Sequence, residues 1–441
     1  MIIRFSVENF LSVRDEQTLS LVASNREKQH PENVQVVDIP GLKGIDLLKS
    51  VVIYGANASG KTNVIQAMDF MRSTVLKSFD LKPDAKFPLS PFRLDRSLED
   101  TPSCFEMTFL LNGIRHEYFF SILRDRVTEE WLDSYPKRQR IRWFSRSWNG
   151  NGYDWEYSPK EKDLADLESK TRPNALTVST ATQFAHPMLT QVFRWFESIK
   201  FIEKGIFFDV TQNLIYEGKS TEIINQIIRE ADLGINSVQV SKQEKMQEED
   251  MEEGRKKKDA FKQIEQALKI LDETFEFQFV EMPLMTEFMH QDANTGEKIP
   301  FVIFRESEGT QRLYSLLGPW ILALQNGQTV CIDEIDLSLH PLLSRRLIKM
   351  FHDSDWNSNG AQLIMTTHDT TLLDQDLFRR DQIWFTEKNQ SGATELYPLT
   401  DYHPRTTEPI QKGYMSGRYG AIPILGSNFS FSPPNDKEEE E

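Results

Sequence analysis

The sequence contains few cysteines and no long apolar run. Only Cys104 and Cys331 occur among 441 residues, far apart in the chain, so neither a disulfide framework nor a cysteine-based zinc site is available. No uninterrupted apolar run approaches the roughly 20 residues that cross a bilayer. The start, MIIRFSVENF, also lacks the apolar core of a signal peptide. We therefore expect a cytoplasmic protein that has no membrane partner.

Positive charge is also in deficit. Acidic residues outnumber basic ones by 67 to 51, which gives a net charge of −16. This excess argues against a protein that coats nucleic acid with its whole surface, although it leaves room for a local basic groove. Hydrophobic residues make up 39% of the chain, which is too many for a disordered protein. The length corresponds to about two or three average domains, or to one large α/β domain with an insertion.

The N-terminal part of the chain predicts a strand, a glycine loop and a helix in succession. The alternation in Ile3–Val7 is typical of a strand with one buried face, and the run Leu48–Tyr54 is apolar enough for a strand buried on both faces. After Gly55, apolar residues recur at spacings of three and four from Ile65 to Val75, which predicts an amphipathic helix. We therefore expect an α/β fold.

Short runs between residues 103 and 158 predict antiparallel strands joined by turns such as Asn112-Gly113. A β-meander is the simplest arrangement of these runs. The remaining predicted elements are helices at 185–199, 221–231 and 341–351 and strands at 329–332, 362–366 and 382–385.

The middle of the chain predicts a helical insertion. A charge-dense segment, Ser241–Lys258, is followed by apolar residues at spacings of three and four in Phe261–Leu271. Two interpretations stay open, a solvated helical pair packed on its own domain and a short coiled-coil arm for self-association. The predicted domains are an N-terminal lobe at 1–215, the insertion at 216–275, a C-terminal lobe at 276–426 and a disordered acidic tail at 427–441.

A phosphate-binding loop is the most specific motif. The stretch Gly55–Thr62 reads GANASGKT and fits G-x-x-x-x-G-K-[ST] between a buried strand and an amphipathic helix. In such a loop, backbone N–H groups face the phosphates, Lys61 neutralises the β and γ oxygens, and Thr62 ligates Mg²⁺. No guanine-reading [NT]-K-x-D string is evident, so ATP is favoured over GTP. The predicted ATP-binding residues are Gly55, Asn57, Ser59, Gly60, Lys61, Thr62 and Asn63.

A second string supplies the carboxylates that hydrolysis requires. The apolar run Thr329–Ile332 ends in Asp333 and Glu334. A phosphate loop alone does not hydrolyse a nucleotide, because the reaction also needs a second metal contact and a group that positions water. We assign Asp333, together with Thr62, to Mg²⁺, and we expect Glu334 to accept a proton from the attacking water or to orient it.

Further strings complete an ordered set of motifs. Ser307–Gln311 opens a predicted helix, Asp336 follows the acidic pair, and His368 ends the run QLIMTT. The order of phosphate loop, signature, D-E strand, D-loop and switch histidine resembles that of the ABC and SMC-like ATPases, although the signature L-S-G-G-Q is replaced by ESEGT. The resemblance implies a P-loop ATPase head with a mixed central sheet flanked by helices, an antiparallel β-meander and a helical insertion.

The same resemblance implies a mechanism. Two copies would associate head to tail, so that Ser307 and Gly309 of one copy contact the γ-phosphate held by Lys61 of the other. Asp336 would cross the same interface, and His368 would contact the γ-phosphate and the attacking water. In this scheme the catalytic residues are Glu334, His368 and Lys61, and ATP joins the two copies until hydrolysis releases them.

Within this superfamily, the chain resembles bacterial AAA-type ATPases related to OLD and RecF, including those of the anti-phage systems PARIS, Septu and Gabija. The strings that carry this resemblance are FSVENFLSV, GANASGKT, SEGTQRL, DEIDLSLHP, TTHD, RRDQIWF and GRYGAIPIL. OLD and Gabija-type proteins carry a fused nuclease domain, whereas few residues follow His368 here. We therefore expect a slow, homo-oligomeric ATPase switch that controls a separate effector protein, such as a nuclease, in anti-phage defence.

Two alternatives stay open. A RecF-like clamp would close around DNA in repair or recombination when ATP binds, and a nucleotide-gated scaffold would hydrolyse too slowly to act as an enzyme. A basic and aromatic stretch from Lys137 to Trp148 has the composition of a nucleic-acid grip, but its period-2 spacing also fits the solvated face of a meander strand. We prefer the solvated face because the chain is acidic overall.

Overall fold

The computed structural model describes residues 1–39, 44–158, 164–202, 204–205, 207–231, 233–242, 284–373 and 376–423. Its strands follow the alternating and the fully apolar runs of the sequence. In chain order they are β1 (Ile2–Glu8), β2 (Gln17–Ser20), β3 (Val34–Gln35), β4 (Leu47–Leu48), β5 (Ser50–Gly55), β6 (Ser103–Leu111), β7 (Ile114–Ile122), β8 (Val127–Tyr135), β9 (Ile141–Trp148), β10 (Tyr153–Tyr157), β11 (Lys200–Ile202), β12 (Ser237–Lys242), β13 (Leu284–Gln291), β14 (Lys298–Val302), β15 (Thr329–Ile332), β16 (Gln362–Thr366), β17 (Ile383–Lys388) and β18 (Thr394–Pro398).

The α-helices carry apolar residues on one face. They are α1 (Lys61–Lys77), α2 (Ala165–Glu168), α3 (Thr177–Gln183), α4 (Pro187–Ser198), α5 (Asp209–Tyr216), α6 (Thr221–Glu230), α7 (Glu308–Asn326), α8 (Pro341–His352) and α9 (Ile410–Met415). Short 3-10 helices lie at Pro31–Asn33, Ser78–Asp80, Arg96–Leu98, Ile303–Arg305, Thr370–Leu372, Arg380–Gln382 and Leu399–Tyr402. Within the described ranges, none of the helices combines the length and the apolar content that a membrane span requires.

The chain divides into two compact units. The first consists of Met1–Glu203, Leu324–Asp336 and Ser344–Glu441, and the second of Lys204–Ala323 and Leu337–Leu343. Each unit draws on separate stretches of chain, because strands that are distant in sequence pair within it. The lobe boundaries at 215 and 276 stay predictions.

The first unit contains a mixed six-stranded sheet with the order β11-β15-β16-β5-β17-β18. Its neighbours run parallel except for the last pair, β17 and β18. β5 is buried along its whole length between β16 and β17, as its apolar run predicts. The carboxyl ends of β5, β15 and β16 therefore meet at one edge of this sheet.

A seven-stranded antiparallel sheet lies in the same unit, with the order β10-β9-β8-β7-β6-β1-β2. It contains the predicted meander as β6 to β10 and adds the N-terminal hairpin β1–β2 beside β6. Side chains from both sheets and from α1, α3 and α4 form one hydrophobic core, for example Phe5, Ile53, Met71, Phe105 and Val192. Burial of these apolar faces is the main force that joins the layers.

The second unit contains the three-stranded antiparallel sheet β12-β13-β14 and the helices α5 and α6. Most of α7 also belongs to it, and this helix continues through Pro319. The Thr211 hydroxyl enters the helical ladder just before the proline. It accepts the N–H of Gly318 at 2.9 Å and donates to the carbonyl of Tyr314 at 2.8 Å. A side chain of α5 thus satisfies backbone groups where the proline disturbs α7.

The α/β class, the mixed sheet and the antiparallel meander are confirmed. The helical interpretation of 216–275 is wrong for β12, because SVQVSK alternates with period two and pairs with β13 from Ser237 to Lys242. Cross-strand pairing with residues about fifty positions away outweighs the helical pattern of its neighbours. The helix α6 (Thr221–Glu230) agrees with the helical interpretation. Residues 243–275 of the predicted insertion, which include the apolar Phe261–Leu271 repeat, and the 427–441 tail lie outside the described residues.

Candidate functional site

The phosphate loop joins β5 to α1 at the edge of the central sheet. Gly60 adopts a left-handed backbone, with φ of 113°, immediately before α1 begins at Lys61. A Cβ atom on Gly60 would lie 2.1 Å from the Thr394 hydroxyl oxygen, and one on Gly55 would lie 2.5 Å from the Thr386 hydroxyl oxygen. Both glycines are therefore required by close neighbours, and Gly60 also by its φ angle.

Lys61 lies inside the curl of this loop. Its Nζ donates to the carbonyl oxygens of Gly55 at 2.8 Å and Ala56 at 3.0 Å. The helix that begins at Lys61 has N–H groups in its first turn that lack intrahelical acceptors and point away from the helix body. Together with the lysine charge, they make this loop suited to an anion.

A pocket of about 530 Å³ opens on the loop. This volume falls in the range of small-molecule sites. All of its lining residues belong to the first unit. They are Asn57, Ala58, Ser59, Gly60, Lys61, Thr62, Asn63, Glu334 and His368. The fold thus brings the phosphate loop, one of the two D-E carboxylates and the predicted switch histidine to one cavity.

Asp333 follows β15 and reaches the start of α1. Its Oδ2 accepts the Thr62 hydroxyl at 2.9 Å, and its Oδ1 accepts the Thr366 hydroxyl at 2.6 Å. This placement follows from strand order, because β16, which ends at Thr366, lies between β15 and β5. Thr62 and Asp333 supply oxygen ligands of the kind that Mg²⁺ prefers.

Glu334 adopts a strained backbone conformation. Its φ is 54°, in the left-handed region that non-glycine residues seldom occupy. Its N–H donates to the same Thr366 hydroxyl at 2.8 Å. One threonine therefore holds the Asp333 carboxylate and the Glu334 backbone together, and the Glu334 side chain lines the pocket.

His368 follows β16, and the charged residues around it shift the pKa of its imidazole in opposite directions. Burial and then the positive charge of Lys61 lower the pKa of the imidazole below its ordinary value, while Asp336, Glu334 and Asp333 act in the opposite direction. The net downward shift favours the neutral ring near pH 7. A neutral imidazole can accept a hydrogen bond as well as donate one.

Asp336 is held beside the histidine loop. Its Oδ1 accepts the Thr367 hydroxyl at 2.6 Å, and the same hydroxyl accepts the N–H of Asp369 at 3.0 Å. The Tyr54 hydroxyl, from the end of β5, donates to the Asp369 carbonyl at 3.0 Å. The segment that carries His368 is thus fixed on both sides.

Ser307 and Gly309 lie in the second unit, at the start of α7. The Ser307 hydroxyl accepts the N–H of Thr310 at 3.1 Å, which is the arrangement of a helix cap. A Cβ atom on Gly309 would lie 2.8 Å from the Ser338 carbonyl oxygen. Both residues therefore have a structural reason for their identity, in addition to the function that the resemblance implies.

Sequence reasoning missed four hydroxyl residues that organise the first unit's site: Tyr54, Thr366, Thr367 and Thr394. The string TTHD contains two of them and was a signal, whereas nothing local marks the other two. Two arginines of the basic stretch in the meander form ion pairs with acidic residues of β8. Arg146 forms a buried ion pair with Glu130 at 2.8 Å, and Arg142 pairs with Asp133. The expected solvated face is therefore wrong for Arg146, which points into the core, whereas Lys137, Arg138 and Arg140 are exposed as expected.

Comparison with known proteins gives one family match. The model described as "AAA domain, putative AbiEii toxin, Type IV TA system" matches residues 50–374, well over half of the chain. No curated protein matches. Among solved structures, the chain is similar to an SMC head domain from Thermotoga maritima, at 13% identity and a TM-score of 0.39 over 90% of this chain and 98% of that one. It is also similar to an SmcHead bound to the C-winged helix domain of ScpA, at 13% identity and a TM-score of 0.37 over 90% and 96%.

Proposed function

The chain belongs to the AAA-domain family whose model it matches, and from this premise we propose that it binds and hydrolyses ATP as a molecular switch. In this proposal the nucleotide state controls a separate effector protein, in anti-phage defence. The observation that carries the proposal is the convergence of Lys61, Glu334 and His368 on one pocket.

The loop and Lys61 account for phosphate binding. Lys61 already lies in the curl, where its charge would meet the β and γ oxygens of ATP. Asn57 and Ser59 line the same cavity. The first turn of α1 adds N–H groups and a positive partial charge. These groups would bind and orient the triphosphate.

The residues around Thr62 fit Mg²⁺. The Thr62 hydroxyl and the Asp333 carboxylate are already adjacent, and both are hard oxygen ligands. Among the described residues, no group of three or more acidic, histidine or cysteine side chains could hold a metal ion by itself. Phosphate oxygens and water would therefore complete the ligand set. Bound there, Mg²⁺ supplies charge neutralisation at the phosphates.

Glu334 and His368 account for the water. In our proposal the Glu334 carboxylate accepts a proton from the attacking water, and the neutral His368 ring orients that water or the γ-phosphate by a hydrogen bond. Thr366 keeps the Glu334 backbone in its strained conformation. This conformation would keep the carboxylate directed into the pocket before substrate arrives.

The switch itself would use a second copy of the chain. We propose that Ser307 and Gly309 of one copy meet the γ-phosphate bound by the other, with Asp336 at the same interface. The start of the 19-residue helix α7 supports this role, because a helix N-terminus favours an anion. The family description names a putative toxin of a type IV toxin–antitoxin system, and from it we take support for a role in defence.

ATP turnover and native mass, measured with and without ATP, test this proposal. Glu334→Gln should retain ATP, lower turnover by about 100-fold or more, and accumulate an ATP-dependent oligomer. Glu129→Gln, an exposed glutamate of the meander, is the matched control and should behave as wild type. Normal turnover in Glu334→Gln would overturn the catalytic assignment. Salt-dependent DNA binding by the wild type would instead favour the clamp.

A further inference from the structure

The hairpin β17–β18 lies against the back of the phosphate loop. β17 pairs in parallel with β5, and β18 returns antiparallel so that Thr394 faces Lys388. The turn between them is held by Asn389, whose Oδ1 accepts the N–H groups of Ser391 and Ala393. These hydrogen bonds fix the turn that precedes Thr394, and the Thr394 side chain is buried against the phosphate loop.

A chain of hydrogen bonds runs from Asn63, in the first turn of α1, to Ser59, in the phosphate loop, through this threonine. The Asn63 amide donates to the Ser12 hydroxyl. The Ser12 and Thr394 hydroxyl oxygens are 2.7 Å apart, and the Thr394 hydroxyl donates to the Ser59 carbonyl at 2.9 Å. Lys388 Nζ also donates to the Thr394 oxygen at 3.0 Å.

The direction of this chain has a single solution. The Asn63 amide nitrogen and the Lys388 ammonium can only donate, and the Ser59 carbonyl can only accept. Ser12 must therefore donate to Thr394, and Thr394 must donate to Ser59. Each hydroxyl uses its one proton, and hydrogen bonds that share a direction reinforce one another.

The two ends of the chain enclose the residues that would meet the phosphates. Ser59 precedes Gly60, and Asn63 follows Lys61 and Thr62. The Thr394 side chain also fills the space that a Cβ on Gly60 would need. The turn is thus held at both ends by the same two hydroxyls, which we call the hydroxyl clamp (Ser12 and Thr394).

We propose that the hydroxyl clamp positions the phosphate loop in its nucleotide-binding shape before ATP arrives, and so sets the affinity for ATP without taking part in hydrolysis. The inference rests on the proposed function. A loop released from the clamp would spend less time in the binding shape, and the apparent Kd rises in proportion to that loss. Saturating ATP would draw the whole population of a variant back to the binding shape of the loop. Neither clamp residue lines the pocket, so the groups that act in hydrolysis would then be placed as in the wild type.

Thr394→Val tests the proposal, because valine keeps the shape and removes the hydroxyl. If the variant loop holds the binding shape for about one tenth of the time, the apparent Kd for ATP rises about tenfold, while kcat at saturating ATP changes less than about twofold. Thr394→Ser should restore the wild-type Kd. The control is Thr128→Val, which breaks a comparable hydroxyl pair with Ser121 in the meander and should leave Kd unchanged.

Ser12→Ala provides an independent route if Thr394→Val fails to fold. It removes the middle of the chain from a partly exposed turn and should raise Kd less, by about threefold, with kcat retained. Wild-type protein that binds ATP while both variants keep its Kd would overturn the clamp and leave the ATPase proposal intact. Wild-type protein that binds no ATP would overturn both. A fall in kcat with an unchanged Kd would assign these residues to hydrolysis and contradict the inference.

Discussion

Charged side chains serve two different purposes in the first unit. Under the meander, Glu130 and Arg146 are completely buried and bonded to each other. The Glu130 carboxylate also accepts the Tyr118 hydroxyl and the Thr177 N–H, each at 2.8 Å. At the nucleotide pocket, Lys61 and Glu334 face a cavity instead, beside the neutral ring of His368. The two regions use similar residue types in opposite environments.

The difference shows how to separate structural charge from functional charge in this fold. Glu130 stands in for a missing side-chain cap of α3, whose N-cap residue is Leu176. Both charges are paired within the same core, so removal of either partner would destabilise the fold. At the pocket, the backbone of Glu334 is strained and its side chain faces the space where a ligand would bind. Side chains in such a place are positioned to meet a ligand.

The largest expected effect comes from breaking the buried pair. Glu130→Ala leaves Arg146 buried without its anion and should lower the free energy of unfolding by about 3–5 kcal/mol. Urea unfolding measures this loss, and Glu129→Gln on the exposed neighbour is the control. Protein that remains folded should still bind ATP. Stability equal to wild type would mean that the buried pair does not join the meander to α3.

Lys61→Ala should have the opposite profile to Glu130→Ala, because it should weaken ATP binding and leave the stability of the fold nearly unchanged. We expect ATP affinity to fall about 100-fold or more, equivalent to about 2.7 kcal/mol, because the charge that meets the phosphates is lost. Stability without nucleotide should change little. ATP titration and thermal unfolding measure the two quantities, and Lys77→Ala at the exposed end of the same helix is the control. If Lys61→Ala also lost much stability without nucleotide, Lys61 would be needed for folding, as Glu130 is, and the distinction between the two regions would be wrong.

A smaller effect is expected from a residue that supports the pocket. Thr366→Val removes the hydroxyl shared by Asp333 and Glu334 and should reduce turnover roughly 10- to 100-fold. Mg²⁺-free nucleotide binding should be retained, because Lys61 and the loop are untouched. Thr366→Ser keeps the hydroxyl and should restore turnover in a steady-state assay. If serine fails to rescue, the role of Thr366 is packing of its methyl group.

The phosphate loop and the D-E strand were accessible from sequence because their information is local. In Gly55–Thr62, the glycines, the lysine and the flanking strand and helix all lie within about thirty residues. Asp333 and Glu334 likewise follow their own strand directly. The fully apolar run Leu48–Tyr54 likewise indicated by itself a strand buried on both faces.

The error at β12 has a different origin. Its six residues alternate, but they lie beside α6, whose isoleucines predict a helix strongly. Whether such a short run becomes a strand depends on a partner, and the partner β13 begins more than forty residues later. Local pattern alone cannot identify a pairing over that distance.

The kinds of chemical group at the site therefore follow from the local sequence, whereas their positions relative to one another follow from the tertiary structure. The amino-acid order alone indicates an anion-binding loop and a carboxylate pair, because each depends on a few neighbouring residues, and it offers His368 as a candidate switch histidine. Only the tertiary structure brings the Thr366 hydroxyl into hydrogen-bond contact with Asp333 and Glu334. Likewise, only the tertiary structure brings Ser12 and Thr394, from opposite ends of the chain, to the same phosphate loop. The physical reason is that a hydrogen bond depends on distance in space, and strand pairing makes neighbours of residues separated by hundreds of positions.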